Sequence, residues 1–249
     1  MRINGTDIDV LIPAYNYGRF LADCIDSVFA QTVQVGSVIV IDDGSTDDTP
    51  AIVEALGARY PIISIRRENR GLVSTLREAI SLTSGRFFIT LDADDRLAPT
   101  FVESCIRALA RDKSVGYCYT QMALSGEESG VASVRSFSPR KLICSGNYIG
   151  GRAAMIRRDA YEQTRGYRDW PALEDWDLWL SFLDAGMVGA FIPEPLYEWH
   201  RHGNSRNSMT VLEERRLRRR IQFSHPRLML RYYPAYLPIA AVNLVRRCI

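Results

Sequence analysis

The chain has 249 residues, of which 47% are hydrophobic and 24% charged, so it can bury one sizeable core. Its formal net charge of +2 argues against nucleic acid as the main partner, although arginines are concentrated between residues 215 and 220. Five cysteines without paired spacing, no visible secretory signal and no apolar stretch of roughly 20 residues predict a cytoplasmic protein without a spanning helix.

Apolar runs and amphipathic segments alternate along the first half of the chain. Strands are predicted at residues 9–13, 38–41, 62–65, 87–91 and 115–119. Helical spacing of apolar residues predicts a helix between each strand and the next. Continuous Val, Ile and Leu runs separated by helices indicate an α/β fold, with a mainly parallel sheet covered by helices on both faces. Such sheets bind ligands beyond the carboxyl ends of their strands.

The second half of the chain is less regular. Periodicity fades over residues 121–145, which we interpret as a solvent-facing excursion or a mobile loop near the site. A helix opened by acidic residues is predicted at 174–183, and a basic helix with aromatic and aliphatic residues after it forms a C-terminal tail. The expected division is a main domain at 1–210, with halves at 1–119 and 120–210, and a helical tail at 211–249.

Three carboxylates in four residues, those of Asp92, Asp94 and Asp95, follow the apolar run at 87–91. Like charges crowded at the end of a buried strand resist desolvation, so water, a hydrogen-bond network or a divalent cation must offset them. Asp42 and Asp43 follow another strand, and we expect them at the same edge of the sheet. The alternative interpretation of both clusters is a turn whose side chains cap a helix.

Four motifs stand in one order along the chain. They read VLIPAYN from Val10, VIDDGSTD from Val40, LDADD from Leu91 and EDWD from Glu174. Together they resemble family 2 glycosyltransferases over about residues 9–205. The resemblance implies the Rossmann-like GT-A fold, a nucleoside-diphosphate sugar as donor, with UDP-sugars expected, and inversion at the anomeric carbon. It also implies Mn²⁺ or Mg²⁺ as cofactor.

The resemblance assigns a metal site to the acidic cluster. Asp94 matches the metal ligand, and Asp92 matches the carboxylate that faces the ribose or shares the metal shell. His202 matches a histidine that completes the metal or diphosphate shell, with His200 as the alternative. A divalent ion held there would neutralise the charge of the departing diphosphate.

The resemblance also assigns the donor site. In the family, the end of the first strand packs around the nucleobase, a carboxylate after the second strand bonds its imide edge, and basic residues lie near the diphosphate. The implied donor-binding residues are Pro13, Ala14, Tyr15, Asn16, Asp42, Asp43, Arg70, Arg77, Asp92 and Ala93. An exposed helix arginine is the alternative interpretation of Arg77.

Asp175 matches the family's general base, which takes the proton of the acceptor hydroxyl. A positioned carboxylate contributes typically about 10²- to 10⁴-fold to the rate. Without the resemblance, Glu174, Asp175 and Asp177 would be interpreted as acids that complement the dipole at the start of a helix. The neighbouring Trp176 is predicted to be core.

The expected activity is transfer of a hexose to a glycan or lipid-linked acceptor, in assembly of a bacterial surface polysaccharide or glycolipid. One alternative is a sugar-nucleotide pyrophosphorylase, whose Gly-x-Gly-Thr-Arg loop is missing after the first strand. Another is an inactive carbohydrate-binding protein of the same fold. The tail at 211–249 suggests an in-plane anchor that keeps the protein peripheral at the inner face of the cell membrane, with a partner-covered or self-packed helical tail as the alternative.

Overall fold

The computed structural model of the chain describes residues 5–132, 134–150, 152–203 and 209–233. Within these residues the strands form one nine-stranded sheet. The strands are β1 (Ile8–Ala14), β2 (Ser37–Asp42), β3 (Ile62–Arg66), β4 (Phe87–Thr90), β5 (Arg96–Leu97), β6 (Val115–Gly126), β7 (Gly130–Val131), β8 (Ala154–Arg157) and β9 (Val188–Arg201). The helices are α1 (Gly18–Phe29), α2 (Thr49–Arg59), α3 (Leu72–Ser81), α4 (Phe101–Arg111), α5 (Pro139–Ser145), α6 (Arg158–Tyr161), α7 (Glu174–Asp184), α8 (Val211–Phe223) and α9 (Pro226–Tyr232).

The sheet has the strand order β3-β2-β1-β4-β8-β6-β9-β5, with β7 paired to β6. Its first four strands are parallel to one another, and so are β6 and β9. β8 runs antiparallel to both of its neighbours, β4 and β6, and joins the two parallel groups. The predicted α/β fold class is therefore confirmed. The sheet also crosses the predicted boundary at residues 119 and 120.

The strands of the sheet are apolar on both of their sides. In β1, the consecutive residues Val10, Leu11 and Ile12 are all buried although their side chains point alternately to opposite faces. In α1, Leu21, Cys24, Ile25 and Val28 are buried at helical spacing. Helices such as this one cover the sheet because each buried aliphatic side chain contributes about 1.5–3 kcal/mol relative to exposure.

The segment at 121–145 contains more regular structure than an excursion or mobile loop, although its residues 126–131 are exposed. Strand β6 continues to Gly126, and α5 begins at Pro139 with Ser138 as its N-cap. The outer half of β6 is held by a backbone ladder that pairs it with β9 as far as Arg201. Backbone hydrogen bonds do not require apolar side chains, so this strand has a weak signal in the sequence.

The parallel strands bring three chain turns to one edge of the sheet. Ala14 at the end of β1 pairs with Asp42 at the end of β2, and Leu11 pairs with Thr90 at the end of β4. The segment after β4 continues into β5, which pairs antiparallel with β9. The acidic segment after β4 is thereby held between two strands of the same sheet.

The C-terminal helices pack onto the main body of the protein. Leu217 and Ile221 of α8 and Leu228 and Met229 of α9 are buried. Thr210 begins α8 with a capping box, in which its hydroxyl accepts a hydrogen bond from the Glu213 amide and the Glu213 carboxylate accepts one in return. Within the described chain, every helix is too short or too polar to cross a bilayer. The division into 1–210 and 211–249 stays a prediction, and residues 234–249 lie outside the description.

Candidate active site

The acidic segment after β4 forms a compact group of carboxylates. Ligand oxygens of Asp92, Asp94 and Asp95 all lie within 4.8 Å of one another. Burial and the charge of Asp92 raise the pKa of Asp94, although a hydrogen bond with His202 works in the other direction. Burial, followed by the charges of Asp92 and Asp94, raises the pKa of Asp95 well above its ordinary value. The group thus concentrates negative charge in a poorly solvated place.

Each carboxylate of this group has a different partner. Arg152 donates from Nε and Nη2 to the two oxygens of Asp92, both at 2.8 Å. Asp95 is 1% exposed, and it accepts hydrogen bonds from the Tyr197 hydroxyl and, at 2.9 Å, from the His200 backbone amide. Asp95 therefore fixes the acidic segment to β9.

The two candidate histidines stand in different surroundings. His202 Nε2 lies 2.9 Å from Asp94 Oδ2, so these two side chains are brought together as predicted. His200 Nδ1 lies 3.2 Å from the Ser125 hydroxyl. Phe20 packs against both imidazoles, with ring centroids 4.9 Å apart in each case. The geometry favours His202 as the partner of Asp94, and its role as a metal ligand stays a prediction.

Carboxylate oxygens and an imidazole nitrogen suit the metal that the sequence implies. His202 Nε2 and Asp94 Oδ2 lie 2.9 Å apart, a separation that suits two ligands of one ion. Mn²⁺ accepts both kinds of ligand, whereas Mg²⁺ prefers oxygen and water. The bidentate arginine on Asp92 makes that carboxylate a less available ligand than Asp94. The residues therefore fit a divalent ion that would be bound by Asp94 and His202.

The second pair of acids lies at the end of β2 and is buried. Asp43 accepts hydrogen bonds from the backbone amides of Arg70 at 2.9 Å and Gly71 at 2.8 Å, and from the Arg67 guanidinium. Asp42 accepts one from the Ser45 amide at 2.9 Å. These carboxylates hold the backbone of the turns at this edge of the sheet.

The arginines that follow β3 have different partners. Arg67, which the sequence analysis did not select, reaches Asp43 and lies 2.8 Å from a carboxylate oxygen of Glu78. The backbone of Arg70 binds Asp43, while its side chain is exposed. Arg77 donates to the Tyr167 carbonyl oxygen at 2.7 Å, which ties α3 to the loop before α7.

The end of β1 connects two of these turns. Asn16 has a left-handed backbone (φ 60°), and its side-chain oxygen accepts hydrogen bonds from the amides of Thr46 at 2.8 Å and Asp47 at 3.3 Å. Asparagine tolerates this conformation better than most residues. Tyr15 beside it is 45% exposed, and among the described aromatic residues only Tyr15 and Phe223 stand among the exposed large apolar side chains. Pro13 and Ala14 complete the strand.

The candidate base lies at the first turn of α7. Asp175 accepts hydrogen bonds from Asn147 Nδ2 and from the Trp176 amide, each at 2.7 Å. Burial and the adjacent charge of Glu174 raise the pKa of Asp175 to about 6, while Arg152 opposes the rise. A carboxylate with such a pKa is ionised at neutral pH and still basic enough to accept a proton. Trp176 is fully buried, as predicted.

One arginine connects the acidic segment with the start of α7. Arg152 binds Asp92 with two of its nitrogens and donates from Nη1 to Glu174 Oε1 at 2.7 Å. Glu174 is next to Asp175 in the chain, so the predicted metal and base residues belong to one connected cluster. Arg152, Asn147 and Tyr197 were not selected from the sequence, because each is a single polar residue without a recognisable spacing.

Comparison with known proteins gives a family match over most of the chain. The sequence model described as Glycosyl transferase family 2 matches residues 9–165. A chondroitin synthase of Pasteurella multocida is 35% identical over 187 residues, which make up 72% of this chain and 19% of that synthase. The chain thus spans about a fifth of the length of this relative.

Two solved structures share the fold at low sequence identity. S. aureus TarS 1–349, in complex with UDP-GlcNAc, matches with a TM-score of 0.72 and 15% identity, over 93% of this chain and 71% of that chain. The mannosyltransferase PcManGT from Pyrobaculum calidifontis, in complex with GDP-Man and Mn²⁺, matches with a TM-score of 0.60 and 16% identity, over 99% and 81% of the two chains. These matches support the expected GT-A fold.

Proposed function

The chain belongs to glycosyltransferase family 2, and we propose that it transfers a sugar from a nucleoside diphosphate to an acceptor hydroxyl with inversion at the anomeric carbon. The observation that carries the proposal is the cluster in which Arg152 connects Asp92 with Glu174, beside Asp175. Inversion by direct displacement needs a base on one side of the sugar and charge neutralisation on the other. This cluster contains residue types suited to both tasks.

In the proposed reaction, Asp175 takes the proton of the acceptor hydroxyl as its oxygen bonds to the anomeric carbon. The bond from that carbon to the phosphate oxygen breaks at the same time, and the nucleoside diphosphate leaves with the electron pair. Asn147 orients the Asp175 carboxylate by its 2.7 Å hydrogen bond. The pKa of about 6 keeps Asp175 ready to accept the proton at neutral pH.

The leaving group is a multiply charged anion, and a divalent ion would neutralise the charge that develops on it when the sugar departs. Asp94 and His202, with Asp92 beside them, would hold Mn²⁺ or Mg²⁺. Arg152 keeps Asp92 in place with two parallel hydrogen bonds. Asp95 keeps the whole acidic segment attached to β9 through Tyr197.

We propose a UDP-sugar as the donor. TarS, a neighbour with the same fold, was solved in complex with UDP-GlcNAc. Residues at the ends of β1 and β2 would surround the nucleobase, and basic residues after β3 would lie toward the diphosphate. The residues in these roles are Pro13, Ala14, Tyr15, Asn16, Asp42, Asp43, Arg70 and Arg77. Asp92 and Ala93, which follow β4, complete the proposed donor site.

We propose a glycan or lipid-linked acceptor in the assembly of a bacterial surface polysaccharide or glycolipid. A relative that makes a polysaccharide, the chondroitin synthase of Pasteurella multocida, is 35% identical over the shared part. A peripheral position at the inner face of the cell membrane would suit such an acceptor. The family match favours this activity over a pyrophosphorylase or an inactive carbohydrate-binding protein.

The proposal is tested by incubating the protein with a panel of UDP- and GDP-sugars and Mn²⁺, and by measuring the released nucleoside diphosphate. Release from one donor, increased by an acceptor glycan, is the expected result. The anomeric configuration of the product, read by proton NMR, should be opposite to that of the donor. A product with the donor's configuration would contradict the proposed single displacement. Formation of sugar 1-phosphate and nucleoside triphosphate when pyrophosphate is added would indicate a pyrophosphorylase.

A further inference from the structure

Helix α8 has one face buried in the protein and one face in solvent. Leu217 and Ile221 are 3% and 0% exposed and hold the helix against the body of the protein. At 100° per residue, the side chains on the opposite side are those at positions 212, 216, 219 and 223, with 215 beside them. We call this the outer face of α8, and it consists of Leu212, Arg215, Arg216, Arg219 and Phe223.

The arginines of the outer face keep their positive charge unpaired within the described chain. Arg215, Arg216 and Arg219 make no ion pair there, whereas Arg218 pairs with Glu214 at 2.7 Å on another side of the helix. Glu213 accepts a hydrogen bond from the Thr210 amide at 2.9 Å, and the charge of Arg216 contributes to lowering the pKa of Glu213 without an ion pair between them. Three cations therefore share one small surface.

The same face carries apolar side chains at its two ends. Seven large apolar side chains are exposed in the described chain, and three of them lie on α8: Val211 at 68%, Leu212 at 57% and Phe223 at 56%. Exposed apolar groups beside cations are typical of helices that lie in the plane of a membrane surface. A soluble polyanion would bind the arginines and leave these apolar groups in water.

The outer face belongs to a helix that adjoins the candidate base. Arg218 Nη1 donates to the Ser145 carbonyl oxygen at 3.1 Å, which fixes α8 beside the end of α5. Two residues further on, Asn147 donates to Asp175 at 2.7 Å. Helix α8 therefore lies close in the fold to the residue that holds the candidate base.

We propose that the outer face of α8 is the surface by which this protein lies on an anionic phospholipid membrane. Arg215, Arg216 and Arg219 contact lipid phosphates, and Leu212 and Phe223 enter the interface between head groups. This contact would explain the peripheral position at the membrane proposed above. Presentation of a lipid-linked acceptor to Asp175 rests on the proposed function, whereas membrane contact itself does not require sugar transfer.

The charge part is tested by co-sedimentation of the full chain with vesicles of phosphatidylcholine alone or with about a third phosphatidylglycerol. The wild type should bind only the anionic vesicles, and less at high salt. Arg216→Gln with Arg219→Gln should weaken that binding about thirtyfold, since each cation near such a surface contributes about fivefold. The matched control, Arg111→Gln with Lys113→Gln at the end of α4, should bind like the wild type.

The apolar part has its own pair of variants. Leu212→Ser with Phe223→Ser should weaken vesicle binding about tenfold or more, whereas Leu82→Ser with Val131→Ser, which changes exposed apolar residues elsewhere, should leave it unchanged. All four double variants should keep the wild-type circular dichroism melting curve. Donor turnover without vesicles should also be unchanged.

The proposal is overturned if the wild type does not bind anionic vesicles, or if both outer-face variants bind as strongly as their controls. Retention on heparin that depends on the arginines, without vesicle binding, would overturn it and indicate an anionic glycan as partner. A protein that transfers sugar but ignores vesicles would contradict only this inference. Vesicle binding without any sugar transfer would contradict only the proposed function.

Discussion

Asp175 is half-buried next to another carboxylate, and it is the residue on which the proposed displacement depends. Asp175→Asn keeps the size and the hydrogen-bonding shape of the side chain but removes its ability to take a proton. We expect kcat for sugar transfer to fall about 10²- to 10⁴-fold, while donor affinity, measured by calorimetry with UDP and Mn²⁺, stays within about twofold. Glu162→Gln, an exposed surface change, is the control. Wild-type transfer by Asp175→Asn would show that another group is the base.

The raised pKa of Asp175 predicts an acid limb in the pH profile. Because the base must be deprotonated to accept the acceptor's proton, kcat/KM should rise with pH up to about 6 and level off above it. At pH 5 it should be about tenfold below the plateau. Initial rates from pH 4.5 to 8 at saturating Mn²⁺ measure this. If the donor dissociation constant changes with pH along the same curve as kcat/KM, the acid limb belongs to the donor site instead.

Arg152 is a positioning residue, because it acts through Asp92 and Glu174. Arg152→Gln leaves two crowded carboxylates without their shared cation, so kcat/KM should fall, and the acid limb should move above pH 6 because Arg152 lowers the pKa of Asp175. Arg152→Lys keeps the charge without the bidentate fork. It should return the acid limb to about pH 6 but restore kcat/KM only in part. A loss of rate with an unmoved limb in Arg152→Gln would contradict this role.

At the residue scale, the sequence motifs predicted which site residues meet, but not the arginine that links them. Asp94 and His202 were selected from the sequence, and they lie 2.9 Å apart although 108 positions separate them. Arg152 binds Asp92 and Glu174, which lie 60 and 22 positions away, and no sequence pattern around Arg152 predicts those hydrogen bonds. A lone arginine in a sequence carries no information about which distant carboxylates the folded chain brings to it.

At the scale of elements, a buried polar network attaches α7 to the start of α9. Asp177 is fully buried, and it accepts hydrogen bonds from Arg168 Nε at 2.7 Å and from His225 Nε2 at 2.9 Å. The other imidazole nitrogen of His225 lies 2.5 Å from an oxygen of Asp184. The helix that bears the candidate base is thus fixed to the C-terminal helices by hydrogen bonds as well as by packing.

Asp177→Asn should lower the free energy of unfolding by about 3 kcal/mol, because it removes the buried carboxylate to which Arg168 and His225 donate hydrogen bonds. Urea denaturation measures the change, and Glu214→Gln, which breaks an exposed ion pair with Arg218, should cost about 0.5 kcal/mol or less. Equal effects of the two substitutions would show that the buried network contributes little to stability.

The same substitution has a predicted pH dependence. Burial alone would raise the pKa of Asp177, but hydrogen bonds from His225 and Arg168 outweigh it and lower the pKa. A carboxylate with a lowered folded pKa contributes its stability above its unfolded pKa of about 3.9 and loses it as the pH falls through the folded value. The difference between wild type and Asp177→Asn should therefore be largest near neutral pH and shrink below about pH 4.

Elements with apolar periodicity were predictable, and those held by backbone pairing were not. Strands β1 to β4 have continuous apolar runs, and their predicted positions agree with the structure to within a few residues. The outer half of β6 and the helix α5 were missed because their residues are partly exposed and mixed in character. The mixed sheet was likewise hidden, since the direction of β8 depends on a loop rather than on its own four residues.

At the scale of the whole molecule, the proposed metal site makes the activity dependent on a divalent ion. Chelation should reduce donor turnover at least about 100-fold, and added Mn²⁺ should restore it. Asp94→Asn should show the chelated rate at any Mn²⁺ concentration, with an unchanged melting curve. The adjacent Asp95→Asn should instead lower the melting temperature, because Asp95 binds Tyr197 and the His200 amide. Full turnover in chelated buffer would contradict the metal's role.

The short ladder between β5 and β9 fixes the distance between the two segments that carry Asp94 and His202. It pairs Arg96 with Glu198 and Leu97 with Tyr197, one or two residues from the acidic segment. An ion arriving there would meet a prearranged pair of ligands, so its capture should order little of the chain. Hydrogen exchange of the β5 and β9 amides should consequently be slow even in metal-free buffer. Lengthening the chain by one glycine between Asp95 and Arg96 should then weaken Mn²⁺ affinity while sparing the sheet.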